Sequence, residues 1–368
     1  MEDGVVLVIV VAAALAFDFT NGFHDTANVV ATAISTRAVP PKIAVTVASL
    51  LNFAGAFLSL EVASVVAKGI VNADLITPEI VFAGLIGAIS WNIATWYFGL
   101  PSSSSHALIG GVVGSALAAE GTKAVIASGL VGKVLVPAVI APVLAFVVAG
   151  TAILLIYRIV GRLRPGPVGR GFRLGQLASG GLLALAHGTN DAQKTMGVMT
   201  LALAANGTIA ADAATPHWVV ISAASAIALG TYTGGWRIIK TMGSRIIKMD
   251  AAQGFAAQSA GATVILVASH FGYPLSTTHV ISGGVMGAGA AKRLSAVRWG
   301  VAGNIVLAWV LTLPCAGAVG ALVYGITRAF GTGALGPLVV SVLILAALAA
   351  VLARRLQETR GSATAPAA

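Results

Sequence analysis

Val5-Val6-Leu7-Val8-Ile9-Val10-Val11-Ala12-Ala13-Ala14-Leu15-Ala16-Phe17 is an unbroken apolar run, and its reading decides which solvent the chain folds in. Further runs follow at Ile43–Leu60, Val81–Phe98, Val219–Trp236 and Leu338–Ala353. Several approach the roughly 20 residues that a helix needs to cross a hydrocarbon core. Composition agrees: the 368 residues are 57% hydrophobic and 9% charged, where a soluble domain is about a quarter charged. Mean hydropathy is +0.93. The runs predict an all-α, polytopic membrane bundle of about ten to twelve spans. They are continuous and rich in Ala and Gly, unlike the short alternating strands of a membrane barrel. The first run follows Met1-Glu2-Asp3 without a basic start, so it reads as a retained helix and not as a removable signal.

A net charge of +10 in a soluble protein points to nucleic acid. Here the basic residues fall between the apolar runs, at Arg37/Lys42, Arg158 to Arg173, Arg237 to Lys248, Lys292/Arg293/Arg298 and Arg354/Arg355. That distribution is a topology signal, which removes nucleic acid as a partner and leaves membrane lipid. The positive-inside rule places these clusters in the cytoplasm, the amino terminus outside and the carboxyl terminus inside. The lone Cys315 lies in an apolar run and supports neither an intrachain disulfide nor a cysteine metal site.

The chain resembles itself in two places. Asn21-Gly22-Phe23-His24-Asp25-Thr26-Ala27-Asn28 aligns with His187-Gly188-Thr189-Asn190-Asp191-Ala192-Gln193-Lys194. Gly99-Leu100-Pro101-Ser102-Ser103-Ser104-Ser105-His106 aligns with Gly272-Tyr273-Pro274-Leu275-Ser276-Thr277-Thr278-His279. Asp191 follows Asp25 by 166 residues and His279 follows His106 by 173, so the pairs belong to one duplication. The expected organisation is a first repeat over 1–157, a cytoplasmic linker over 158–173, a second repeat over 174–353 and a cytoplasmic tail over 354–368. Threading the charge signals through the repeat makes the halves inverted, the recurring plan of secondary transporters with interrupted helices and a site at the repeat interface.

Asp25 and Asp191 carry the cost of a carboxylate at membrane depth, at least about 2.5–3.5 kcal/mol on insertion scales. Together with Asn28 and Asn190, on helices expected to break at Gly22 and Gly188, they form a candidate site for a coupling cation. Structural glue between helices is the plainer role for the same residues. The Ser/Thr segments place Pro and hydroxyls at expected helix starts, where free N–H groups and the macrodipole receive anions. Ser103, Ser104, Ser105, Ser276, Thr277 and Thr278, with Gln193, are therefore candidates for an oxyanion, against the alternative that the hydroxyls bond back to their own helices. His24, Lys194, Asn52, Gln258, His106 and His279 are expected to support the site. Lys194 stands where the first repeat has Asn28, and pairing with Asp191 is its expected role.

These four segments, with Trp91-Asn92 and Trp96-Tyr97 leading into the first Ser-rich stretch, resemble the signatures of the inorganic phosphate transporters of the Pit type, across roughly Leu7 to Val351. The resemblance implies symport of inorganic phosphate with a cation, Asp25 and Asp191 near the coupling ion, and Ser104, Ser105, Thr277 and Thr278 near phosphate. Amides at Asn52 and Gln258 place the chain nearer the bacterial, low-affinity members than the sodium-coupled animal ones. Proton coupling is thus the leaning and sodium the alternative; a divalent metal travelling with phosphate and a homodimer also stay open. No cofactor beyond the coupling cation is implied. A sulfate permease of the same fold is the nearest rival and a pure channel another. An intramembrane hydrolase is disfavoured, since adjacent Ser/Thr and His residues point about 100° apart on a helix.

Overall fold

Each apolar run becomes helix over most of its length in the computed structural model, which describes residues 2–363; the run from Ile43 leaves its helix after Gly55, and the run from Val219 is broken at 234–235. The chain folds as α1 (Glu2–Ser35), α2 (Pro41–Gly55), α3 (Glu61–Lys68), α4 (Pro78–Phe98), α5 (Ser104–Glu120) and α6 (Ala127–Gly129), which runs through a π turn into α7 (Val136–Val160). It continues as α8 (Pro165–Ala205), α9 (His217–Thr233), α10 (Trp236–Lys240), α11 (Ala251–His270), α12 (Thr277–Lys292), α13 (Trp299–Ala329) and α14 (Leu335–Ala363). Among the described residues the sole extended pairing is an isolated bridge between Val71 and Val125. Residues 364–368 of the expected tail lie outside the description. Of the expected linker over 158–173, the part from Pro165 onward is already α8.

Among the described residues five stretches are long and apolar enough to cross a membrane, with a sixth if α9 and α10, bent by 59°, count as one broken span. Length and apolarity alone thus pick out fewer helices than the ten to twelve spans expected, because other helices of the bundle are short or are polar where protein surrounds them. The 41-residue α8 is the longest helix, yet from Ala186 to Leu203 every residue is buried against protein, so its middle is free to be polar. α5 and α12, with 17 and 16 residues, are about 25 Å long, short of a hydrocarbon core of about 30 Å. Lipid meets other helices instead: Val139 of α7 and Val310 of α13 are 68% and 67% exposed.

The helix breaks expected at Gly22 and Gly188 do not form. α1 runs unbroken through Gly22 and α8 through Gly188. Both glycines serve helix packing: a Cβ on Gly22 meets the Ile227 carbonyl oxygen at 2.3 Å, and one on Gly188 meets that of Asn52 at 2.1 Å. The chain is interrupted at 99–103 and 271–276, just before α5 and α12, at the helix starts expected from proline and the capping hydroxyls.

The two copies of the repeat interlock. The Asp25 helix α1 packs on α9, and the Asp191 helix α8 packs on α2; α5 packs on α13, and α12 on α7. Each motif helix thus has a partner in the other half of the chain, and α8 also packs extensively on α11 and α5 on α4 within their own halves. The contacts are close because small residues line them. A Cβ on Gly114 of α5 comes 2.1 Å from the Gly317 carbonyl of α13, and one on Gly287 of α12 comes 2.1 Å from that of Phe146 of α7. Gly114→Val is therefore expected to lower the thermal unfolding midpoint of the detergent-solubilised protein, by an overpacking cost of about 1–3 kcal/mol. Gly303→Ala on α13, with no atom within 4 Å of the added carbon, is expected to leave it unchanged or raised. Equal midpoints for Gly114→Val and the parent overturn the close α5–α13 approach.

Candidate functional site

α1 and α8 bring their repeated polar residues to one place in the core. On α1, His24 Nδ1 lies 2.7 Å from Asp25 Oδ1, and its Nε2 lies 3.1 Å from Thr95 Oγ1 of α4. On α8, Asn190, the counterpart of His24, donates to Ser269 of α11 at 2.8 Å. The residue before each aspartate thus reaches the hydroxyl-bearing end of the helix that precedes each Ser/Thr segment. The third matched pair diverges in chemistry. Asn28 donates to Thr277 and Thr278 at 3.2 and 2.9 Å. Lys194 donates to Asp191 Oδ1 and Ser105 Oγ at 2.5 Å and to the Leu275 carbonyl at 2.6 Å.

The starts of α5 and α12 close the site from the other side. Ser103 and Ser276 are their N-caps, each accepting from the N–H three residues on, at His106 and His279. Those two oxygens are thereby committed to their own helices. The next hydroxyls, of Ser104, Ser105, Thr277 and Thr278, sit in the first turns, where backbone N–H groups have no intrahelical partner. The two starts touch: Ser105 Oγ donates to the Leu275 carbonyl at 3.0 Å. The burial is deep, with Asp25, Asp191, Lys194, Ser104, Ser105, Thr277 and Thr278 all at most 2% exposed.

Hydroxyls and carboxylates form one network. Ser104 donates to Asp25 Oδ1 at 3.1 Å, and Thr277 Oγ1 stands 3.3 Å from both Asp25 Oδ2 and Asp191 Oδ2. Thr278 is 3.5 Å from Asp25 Oδ1. His187 Nε2 approaches Asp191 Oδ2 to 3.1 Å, close enough for charge pairing but not aligned as a hydrogen bond. Asp25, His187 and Asp191 each offer a ligand atom, all within 4.8 Å of one another. Two carboxylates and one ammonium leave one formal negative charge here with the imidazoles neutral.

The remaining predicted residues divide. Asn52 holds His187 from behind: its Oδ1 is 3.2 Å from His187 Nδ1, while its Nδ2 donates to Thr231 at 2.8 Å. Gln193 faces away from the hydroxyl cluster; its Oε1 accepts from the N–H groups of Val62 and Ala63 and so caps α3. Gln258 accepts from Ser179 at 2.9 Å, apart from the carboxylates. His106 and His279 meet edge to face, centroids 4.8 Å apart, on an apolar cavity of about 620 Å³ that also takes in Pro142, Phe146 and Trp309. His187 is the contributor that sequence reasoning left out of the site. Its spacing of four from Asp191 on one helix is the signal that finds it.

A sequence model of the phosphate transporter family matches residues 21–170 and 164–320. The chain is 54% identical over 326 residues to a probable low-affinity inorganic phosphate transporter of Mycobacterium tuberculosis H37Rv, covering 88% of this chain and 78% of that one. It is 41% identical over 324 residues to one so named from Bacillus subtilis, covering 87% and 96%. A solved structure described as the sodium-dependent phosphate transporter superposes with a TM-score of 0.77 at 25% identity, over 88% of this chain and 99% of that one. With both halves, the helical architecture and near full-length relatives in agreement, this chain is a member of the phosphate transporter family.

Proposed function

We propose that the protein carries inorganic phosphate across the membrane by symport with a cation, through alternating access about the site shared by the two copies of the repeat. The observation that carries this reading is the position of Thr277 Oγ1, equidistant at 3.3 Å from the carboxylates of Asp25 and Asp191. The donors best suited to an oxyanion are the ones now engaged by the two acids. Phosphate and ionised carboxylates therefore compete for the same protons on the same hydroxyls.

Charge makes the competition decisive. The site starts at one negative charge, and a phosphate anion added to it in a poorly screened interior meets repulsion that only cations offset. A cation held by Asp25, Asp191 and His187, or protons on the carboxylates, neutralises the acids and frees Ser104, Ser105, Thr277 and Thr278 to turn to the anion. Asn190, whose Oδ1 accepts no hydrogen bond, supplies a further neutral oxygen on the cation side. Lys194 then serves as the fixed positive partner. Neither ion loads well alone, which is the condition for coupling. The favoured cation is the proton, with sodium the alternative; the basic clusters support an amino terminus outside and a carboxyl terminus in the cytoplasm. An enzymatic role for the Ser/His pairs lacks its geometry: Ser105 engages Lys194 and Leu275, while His106 faces His279.

Asp25→Asn and Asp191→Asn are expected to lower gradient-driven phosphate uptake in proteoliposomes by about 10²-fold or more, the scale of losing one partner of a buried charged cluster. Uptake under imposed pH and sodium gradients, applied separately, identifies the cation. Unchanged uptake in both well-expressed variants overturns the assignment.

Selectivity follows from the acceptors. At neutral pH phosphate keeps a P–OH that can donate to a carboxylate, and sulfate has none. Sulfate is expected to compete with labelled phosphate at least about 10²-fold more weakly, since a site built to pair with a substrate hydroxyl rejects the analogue lacking it. Equal competition by the two anions makes the protein a general oxyanion carrier.

A further inference from the structure

Three carboxylates are buried among the described residues, Asp18, Asp25 and Asp191, and the reading above uses two. Asp18 lies on α1 about two turns before Asp25 and is 0% exposed. Its surroundings differ in kind from those of the other two. Asp25 is met by His24, Ser104 and Thr277, and Asp191 by Lys194 and His187. No well-aligned hydrogen bond reaches either oxygen of Asp18; the polar side chains beside it are Thr195 and Asn21, whose hydroxyl and amide N–H groups are the neutral donors within its reach and whose Oγ1 and Oδ1 are themselves unpaired.

The charged groups that bear on Asp18 are Asp191 and Lys194, both on α8. Its own helix carries His24 and Asp25 further along. Of the other helices packed on α1, α4 carries Glu79 in its first turn and Tyr97 near its end, α9 His217 and Tyr232 towards its ends, and α2 Lys42 at its start; α5 carries His106 and Glu120, α10 and the π turn after it Arg237, Lys240 and Arg245, α11 His270 at its end, and α12 His279 and Lys292. Ionised, Asp18 is a dry carboxylate with no ion pair and only two poorly aligned neutral donors, the Thr195 hydroxyl and the Asn21 amide, an arrangement that proteins avoid. A proton removes the charge and turns one acceptor oxygen into a donor, beside the unpaired Asn21 Oδ1, which can only accept, and the Thr195 hydroxyl, which can accept or donate.

We propose that Asp18 is a proton-carrying site of the transport cycle, holding a proton in the closed arrangement described here and releasing it when the core opens to water. The inference rests on the cation-coupled reading and deepens it by naming a group that carries the ion. The step balances simply: the carboxyl O–H bond breaks, the proton passes to water on the side of release, and water on the other side reloads it. Ionisation has a direct mechanical consequence. The new carboxylate attracts the Lys194 ammonium, which in the closed state holds Asp191, Ser105 and the Leu275 carbonyl together. Proton loss at Asp18 thus loosens the contact between the starts of α5 and α12, and proton gain restores it.

The test uses the full chain in liposomes with a pH-sensitive dye inside, comparing parent, Asp18→Asn and Asp18→Glu. The parent is expected to move protons with phosphate and to accumulate it under a pH gradient. Asp18→Asn is expected to keep exchange of labelled phosphate at equilibrium, to move fewer protons per phosphate and to lose uphill accumulation, and Asp18→Glu to restore both. Asp18→Asn moving as many protons per phosphate as the parent overturns the assignment and leaves symport standing. A parent driven by sodium without proton movement also overturns it while sparing cation coupling, and a parent indifferent to both gradients sinks the two readings together. Should Asp18→Asn fail to reach the membrane, the infrared carbonyl band of a protonated carboxyl decides. A band that shifts between parent and Asp18→Glu supports the site, and an unshifted spectrum overturns it.

Discussion

The geometry of the core depends on one ammonium group. Lys194 has three N–H donors and uses all of them, on Asp191 and Ser105 at 2.5 Å and on the Leu275 carbonyl at 2.6 Å. A lysine at membrane depth is tolerable only when so satisfied. Its three acceptors come from α8, from the start of α5 and from the residue that leads into α12. The ammonium therefore fixes where both helix starts stand relative to the Asp191 helix. Without it, a buried carboxylate is left uncompensated and two helix ends lose their common anchor.

That anchor breaks the symmetry of the duplication at one informative position. The copies match in the aspartates, in the preceding residues that reach Thr95 and Ser269, and in the N-caps Ser103 and Ser276. Where the first copy has the neutral Asn28, the second has Lys194. Two asparagines would leave two carboxylates facing each other and the negatively charged substrate with no fixed positive charge. Two lysines would neutralise both acids and remove the need for a cation. One of each leaves a single negative charge that an arriving cation or proton has to balance.

Much of this was legible in residues, and what was missed has physical causes. The aspartate and Ser/Thr segments announce themselves because polar side chains are expensive in an apolar chain, and their repetition ties them to one another. Hydropathy misleads where protein replaces lipid as the surroundings, as along α8, whose polar middle is fully buried by neighbouring helices. Glycine misleads because it signals both breaks and close packing. Gly22 and Gly188 are packing glycines, and only the carbonyls of Ile227 and Asn52 opposite them, on α9 and α2, reveal it. Gln193 reads as a site donor from its place in the motif, yet its direction is set by α3, a helix of eight residues whose unpaired N–H groups it satisfies. His187 was within reach of sequence reasoning through its spacing from Asp191. The unpaired state of Asp18 was not, because it depends on which side chains of α8 face α1.

The coupling proposed for this site does not require a long chain of intermediates. In many coupled systems two ligands act on separate sites and a structural change must connect them. Under the proposed symport, the hydroxyls of Ser104, Thr277 and Thr278, which meet the carboxylate of Asp25, stand between the proposed places of cation and anion, and each has one proton to give. A hydroxyl that donates to a carboxylate cannot donate the same proton to phosphate. Neutralising the carboxylate releases that proton for the anion, and binding the anion leaves the carboxylate in want of a cation. The reciprocity that linkage demands of any coupled pair is thus met by single hydrogen bonds with two possible acceptors.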